Sequence, residues 1–286
     1  MSTLTQFYGA SAANLIPVEL LIVGGGGAGT STNSSTNTQG FGAGSGRLIL
    51  SSTTVSKSVA YAVTIGGGGA AVLGGNAASG SSSFFGVLEA AGGLGGGNAG
   101  IGGGANIAVP PFCGSGGGSS ITAANYPGLL GTQWPNWFQI NSADDYFQSF
   151  ASRGGGTSTA LSGAGGGGAG GSGADFNTTI GPGRISSITG SSVTYAEGGV
   201  GRTSTAGVSA GVNGGANTGT GGGGASSTTA NSGNLTYLGG NGGSGVVIIA
   251  YKDTYPEPTS ITGTYNQPTR TGYRVYRFTG SGSITF

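Results

Sequence analysis

The residues best equipped for chemistry are few in this chain. Asp144 and Asp145 stand side by side, and the other acids, Glu19, Glu89, Asp175, Glu197, Asp253 and Glu257, are scattered. Two carboxylates can cleave a glycosidic bond only if they face the same bond. Adjacent residues on a strand point to opposite faces. Histidine, the commonest general base and metal ligand, does not occur. Cys113 is the single cysteine, follows Pro110-Pro111-Phe112 and has no second cysteine for an intrachain disulfide. It reads as a small buried apolar residue. Catalytic activity is therefore not expected, and neither a cofactor nor a metal is implied.

Gly24, Gly26 and Gly29 fit the G-x-G-x-x-G pattern after an apolar run, which elsewhere places a dinucleotide pyrophosphate on a helix N-terminus. In a chain with 69 glycines such a match arises by chance. No helix-forming pattern follows, and the next acid after the motif is Glu89, far beyond the ~20 positions at which a ribose-binding carboxylate belongs. Arg270, Arg274 and Arg277 gather charge near the C-terminus with Asp253 and Glu257 nearby, either as an assembly contact or as a solvated strand face. Asn33, Asn177 and Asn234 begin formal glycosylation sequons, which carry little weight without a signal peptide.

The segment 125–152 is the richest in contact-forming side chains. It holds both tryptophans, and Tyr126, Trp134, Trp137, Asp144, Asp145 and Tyr146 are its candidate receptor- or partner-binding residues. Aromatic side chains bury a large area at low entropic cost and dominate binding hot spots. The other reading is a small satellite core capping the glycine layers. The segment looks inserted, with room for a short helix.

The scaffold that must hold these residues is unusual. Charged residues make up 6% of the 286, against roughly a quarter in ordinary soluble domains. There is no Gly-X-Y period, so a collagen helix is excluded. Nine basic and eight acidic residues give a net charge of +1 with no basic run, so a nucleic-acid footprint is missing. No apolar run reaches the ~20 residues of a membrane span, and the first basic residue is Arg47, so no signal peptide is expected.

The grammar of the chain is a short apolar run followed by glycine. Glu19–Val23 leads into Gly24–Gly27, Ala62–Ile65 leads into Gly66–Gly69, and Gly245–Tyr251 is a buried strand expected beside Val18–Val23. Arg47–Leu50 and Ser58–Ile65 read as strands, Ser83–Leu88 as another, and Ile185–Tyr195 as a hairpin about Gly190. Tyr273–Phe278 and Ser283–Phe286 read as a terminal pair about Gly280–Gly282.

Glycine runs can order as polyglycine II helices, with about three residues per turn and no internal hydrogen bonds. Such helices bond laterally, and only glycine lets their backbones approach closely. The expected fold is all-β: β-sandwich-like strands enclosing glycine-rich, polyglycine II-like layers, with a small C-terminal β-unit. The expected divisions are an N-terminal arm over 1–17, a glycine-rich β domain over 18–252 with the aromatic insertion 125–152, and a C-terminal β-hairpin extension over 253–286.

Val18–Val23 running into Gly24–Gly27 resembles the opening of the glycine-rich domain of many phage tail proteins. Tyr61-Ala62-Val63-Thr64-Ile65-Gly66 resembles its "YTVTIG" strand, and Ser186–Ala196 and Gly239–Ile249 resemble later blocks. Tyr273–Phe286 is similar to a common C-terminus of tailed-phage virion proteins, cyanophages included. The insertion 125–152 has no family residue to map onto.

The resemblance implies a virion protein, most often a tail fibre or receptor-binding adhesin, without catalytic residues. Its implied partners are other virion proteins and a host surface receptor, glycan or protein, with no nucleic acid and no membrane insertion. A homo-oligomer, a trimer by analogy with phage fibres, is implied as well. A capsid decoration or head-fibre protein is the alternative. An ice-binding or surface-matrix protein built on flat Gly/Ala/Thr faces is the further one.

Overall fold

A computed structural model describes residues 14–32, 40–73, 77–97, 114–120, 146–157, 163–174, 178–203, 209–226 and 237–286. Among these residues there is no α-helix. The first half supplies β1 (Leu15–Val23), β2 (Leu48–Ser56), β3 (Ala60–Thr64), β4 (Ser83–Phe85), β5 (Leu88–Ala90), β6 (Ser119–Ser120) and β7 (Tyr146–Phe150). The second half supplies β8 (Gly156–Thr157), β9 (Arg184–Ser186), β10 (Val193–Tyr195), β11 (Val246–Lys252), β12 (Ser260–Thr262), β13 (Tyr265–Asn266), β14 (Tyr273–Phe278) and β15 (Gly282–Thr285).

The main sheet has the order β13-β14-β11-β1-β2-β7 and the second β12-β15-β3-β4-β5, with antiparallel pairing throughout. The expected pairing of the two apolar runs is present, with Glu19–Val23 opposite Val246–Ala250 in the middle of the main sheet. Both runs lack polar alternation because both faces of these strands are covered. One face carries Ile16, Val18, Leu20, Ile22, Val247, Ile249 and Tyr251, which meet Val63, Phe85 and Ile284 of the second sheet and Phe286 just beyond it. The other carries Leu21, Val23, Val246 and Ile248, covered by Ala169, Ile188, Tyr195 and Ala196.

Several local expectations resolve in detail. The hairpin about Gly190 forms, with Arg184–Ser186 opposite Val193–Tyr195 and Gly190 at φ +87°. Ser83–Leu88, expected as one strand, is instead two: Gly86 at φ +55° and Val87 turn the chain so that Phe85 faces Leu88. That left-handed angle is one glycine adopts freely, and the turn leaves Val87 96% exposed. The C-terminal strands, expected to pair with each other about Gly280–Gly282, instead join different sheets. β14 lies beside β11 and β15 between β12 and β3, so the chain crosses from one sheet to the other at Gly280–Gly282. Phe286 closes the core edge-on to Tyr251 and Tyr61, with ring centroids 5.5 and 6.0 Å apart.

The glycine runs form a lateral lattice that continues the strands end on. Residues 24–32 follow β1 and are all buried. Their N–H groups donate in a repeat of three. Gly24, Gly27 and Thr30 bond Arg47, Gly44 and Phe41, while Gly25 and Ala28 bond Ser81 and Ala78. Gly26, Gly29 and Thr32 bond Gly243, Gly240 and Tyr237, and the eight distances are 2.8–3.1 Å. The carbonyls of Gly25 and Ala28 accept from Gly93 and Gly96, that of Gly26 from Gly69, and those of Gly27 and Thr30 from Gly222 and Ala225. The segment thus touches six neighbours, three by donation and three by acceptance.

Residues 40–47, leading into β2, are surrounded in the same way. From Gly42 on they donate to 164–167, 219–222 and 91–94, while Gly40 donates to Arg202 and Phe41 to the Thr30 hydroxyl; the segment accepts from 24–30, 115–118 and 199–202. A three-residue turn sends successive N–H groups to three different neighbours, which is polyglycine II bonding. It also satisfies the requirement that buried backbone groups find partners. A Cβ at Gly25, Gly42 or Gly44 would collide with the carbonyl of Gly67, Gly199 or Ser115. The glycine content is thus a packing requirement. Over residues 24–32, at a rise of about 3.1 Å per residue, the lattice extends roughly 25 Å beyond the sheets.

Candidate functional site

Of the candidate contact residues, Tyr126, Trp134, Trp137, Asp144 and Asp145 lie outside the described residues, as do Cys113 and the sequon residues Asn33, Asn177 and Asn234. Tyr146 opens β7, opposite Ser52 on β2. Residues 146–150 of that segment thus form the outermost strand of the main sheet among the described residues. Among the described residues no three His, Cys, Asp or Glu side chains gather as a metal-binding group.

The G-x-G-x-x-G match has a clear outcome. Binding a pyrophosphate needs free N–H groups at a helix N-terminus. Here the N–H groups of Gly24, Gly26 and Gly29 are bonded to the carbonyls of Arg47, Gly243 and Gly240. The three glycines belong to the lattice and have no donor left for a ligand.

The lattice is also joined, among the described residues, by three bridges, Thr32 with Tyr237, Gly40 with Arg202 and Ser209 with Ser226. Its outer row, 66–73, 237–243 and 209–217, carries exposed Val72, Leu73, Leu238 and Val212. Asparagine side chains supply acceptors for backbone N–H groups in this row. Asn241 Oδ1 accepts the Ala71 N–H at 2.7 Å, and Asn213 Oδ1 accepts the Asn241 N–H at 2.8 Å.

A second feature lies on the outer face of the main sheet. Glu19 and Ser52 are directly paired on β1 and β2, and the hairpin residues Ser187 and Ile188 stand over them. With Leu50 and Arg270 they line an open groove of about 230 Å³. Arg270 grips Glu19 with both terminal nitrogens, at 2.6 and 3.2 Å, and its guanidinium lies 3.6 Å above the Tyr273 ring. The bond to Glu19 raises the Arg270 pKa further, opposed by partial burial. The hydroxyls of Ser52 and Ser187 bond no group among the described residues.

The C-terminal arginines divide. Arg270 pairs with Glu19, and Arg274 pairs with Glu257 at 2.8 Å and with the Tyr255 carbonyl at 3.2 Å. Arg277 lies close enough to Tyr195 to oppose electrostatically the rise that burial causes in its pKa. Tyr251 and Tyr276 are also raised, in both cases chiefly by burial. These are the marks of a core and its margin; none aligns a nucleophile with a base.

Sequence reasoning did not find the groove. Its two charged residues are 251 positions apart, and no local spacing announces them. The only available signal was Glu19, a lone acid inside an apolar run.

A family described as Glycine-rich domain matches residues 4–252. No curated protein and no solved structure matches the chain. The family match covers most of the chain, including every glycine segment of the lattice, and residues 253–286 lie beyond it. The chain belongs to the glycine-rich domain family.

Proposed function

We propose that this chain is a non-enzymatic structural protein of a phage virion, a tail-fibre or adhesin component that binds the host cell surface. The observation that carries the reading is the bundle itself: a side-chain-poor lattice of laterally bonded segments that continues the strands of a β-sandwich. A lattice held by lateral backbone bonds leaves the connecting segments free to vary in sequence, as surface loops do. Membership of the glycine-rich domain family and the resemblance of its non-glycine blocks to tail proteins support the same reading.

In this reading other virion proteins hold the chain, several copies act together with avidity, and the aromatic segment 125–152 supplies the contact through Tyr126, Trp134, Trp137, Asp144, Asp145 and Tyr146. Gold-labelled localisation on purified virions, run with an adsorption-blocking assay of the recombinant chain, tests it. Label at fibre tips with blocked adsorption is expected. Label on the head with unaffected adsorption would overturn it in favour of a decoration protein. Trp134→Ala with Trp137→Ala, in folded protein, is expected to abolish blocking; unchanged blocking would remove those residues from the contact.

A further inference from the structure

We propose that the groove beneath the β9–β10 hairpin binds one ring of a neutral, polyhydroxylated ligand, a sugar or a related polyol. The inference stands apart from the function proposed above, since it rests on the groove alone. The groove measures about 230 Å³, below the ~300–1,000 Å³ of ordinary small-molecule pockets. That suits a single ring and falls short of drug-sized ligands.

The electrostatics select a neutral ligand. Glu19 and Arg270 are each other's counter-ion through two hydrogen bonds. A charged ligand would have to break that pair, whereas a neutral one can add to it. The Glu19 side chain keeps 38% of its surface and Arg270 23%, so neither side chain is sealed off from a ligand in the groove. A hydroxyl both donates and accepts, so it can donate to the carboxylate and accept from the guanidinium. Ser52 and Ser187 add two hydroxyls with no partner among the described residues. Leu50 and Ile188 supply the apolar lining against which ring C–H groups can rest.

The site is also preformed. Arg270 is fixed by Glu19 and by the Tyr273 ring, and the hairpin wall is fixed by the Gly190 N–H, which bonds the Ser187 carbonyl. Preorganisation reduces what a weak ligand loses on ordering its site.

The test is a ¹H–¹⁵N NMR titration of the full chain with methyl glucoside, methyl galactoside and methyl mannoside, with glucuronate and glucosamine as charged comparators. At least one neutral glycoside should give saturable shifts at the amides of Glu19, Ser52, Ser187 and Arg270, with a dissociation constant of about 1–10 mM. Ser52→Ala with Ser187→Ala, which removes only two hydroxyls at the groove, should weaken binding about tenfold. No saturable shift with any of the three glycosides would overturn the proposal. So would tighter binding of either charged comparator, shifts mapping elsewhere, or unchanged affinity in the double variant.

Discussion

Placing a single methyl group inside the lattice tests the physical reasoning most sharply. Gly44 sits in the fully surrounded segment 40–47. A Cβ there would collide with the Ser115 carbonyl oxygen and lie 2.5 Å from the Ser115 carbonyl carbon and 2.8 Å from that of Gly116. Ordinary contact begins at 3.4 Å, so the backbones must part by about 1 Å, more than a close-packed interior gives without strain. The bonds from Gly44 N–H to Leu94 and from Gly27 N–H to Gly44, both 2.9 Å, would then be lost. Each buried group left without a partner costs about 1–3 kcal/mol, and overpacking adds about 1–3 kcal/mol. Counting one such cost for each of the two bonds, Gly44→Ala should therefore cost about 3–9 kcal/mol, comparable with the ~5–15 kcal/mol of a typical protein.

Gly67→Ala is the matched control. A Cβ at Gly67 meets nothing within 4 Å, so the substitution should stabilise by about 0.4–1 kcal/mol by restricting the unfolded chain. The assay is urea unfolding at equilibrium, supported by Tm, where 1 kcal/mol is worth about 2–4 °C in a chain of this order of size. If the two variants differed by less than about 0.5 kcal/mol, the size of an ordinary surface effect, the reading of the glycines as packing requirements would be refuted.

Other consequences are equally direct. Truncation after Lys252 removes buried Val275, Tyr276, Phe278, Ile284 and Phe286 and strips one of the two partners from each of β11 and β3; circular dichroism and NMR dispersion should show no cooperative fold, and a soluble fragment that unfolds cooperatively would contradict this. Burial raises the pKa of Tyr195, Tyr251 and Tyr276, so the folded state holds their protons more tightly. Their contribution is fully present below the unfolded tyrosine value near 10 and is lost as pH rises above it, and urea midpoints should fall between about pH 9 and pH 11. Asn241→Ala removes the acceptor of the Ala71 N–H and should cost about 0.5–1 kcal/mol, with faster exchange at the Ala71 amide; unchanged exchange there would refute that acceptor role.

The strands were legible where the sequence had only one way to satisfy the backbone and the apolar side chains. Glu19–Val23 and Val246–Ala250 pair as their composition requires, and the lone Gly190 marks its turn. The Gly86–Val87 turn was missed because phenylalanine and leucine on either side mask it as one apolar run. The lattice could be expected as a type of structure, since glycine without side chains leaves only lateral backbone bonding. Its neighbour list could not be expected, because every glycine segment looks alike and partner choice is settled by chain reversals and by the strand each segment continues. The candidate contact residues are nearly all outside the described residues, and only Tyr146 has a place, on the outermost described strand of the main sheet. The groove was invisible because it joins residues from opposite ends of the chain through tertiary packing alone.

Hydrogen exchange of the glycine amides measures the central claim most directly. If residues 24–32 and 40–47 form a fully bonded lattice, the amides of Gly25, Gly27, Gly42 and Gly44 should exchange as slowly as those of Ile22 and Ile248 in the central strands, since both open only with the whole fold. Exchange of those glycine amides at the rate of an open loop, with β1 and β11 still protected, would contradict the lattice and leave the sandwich to stand without it.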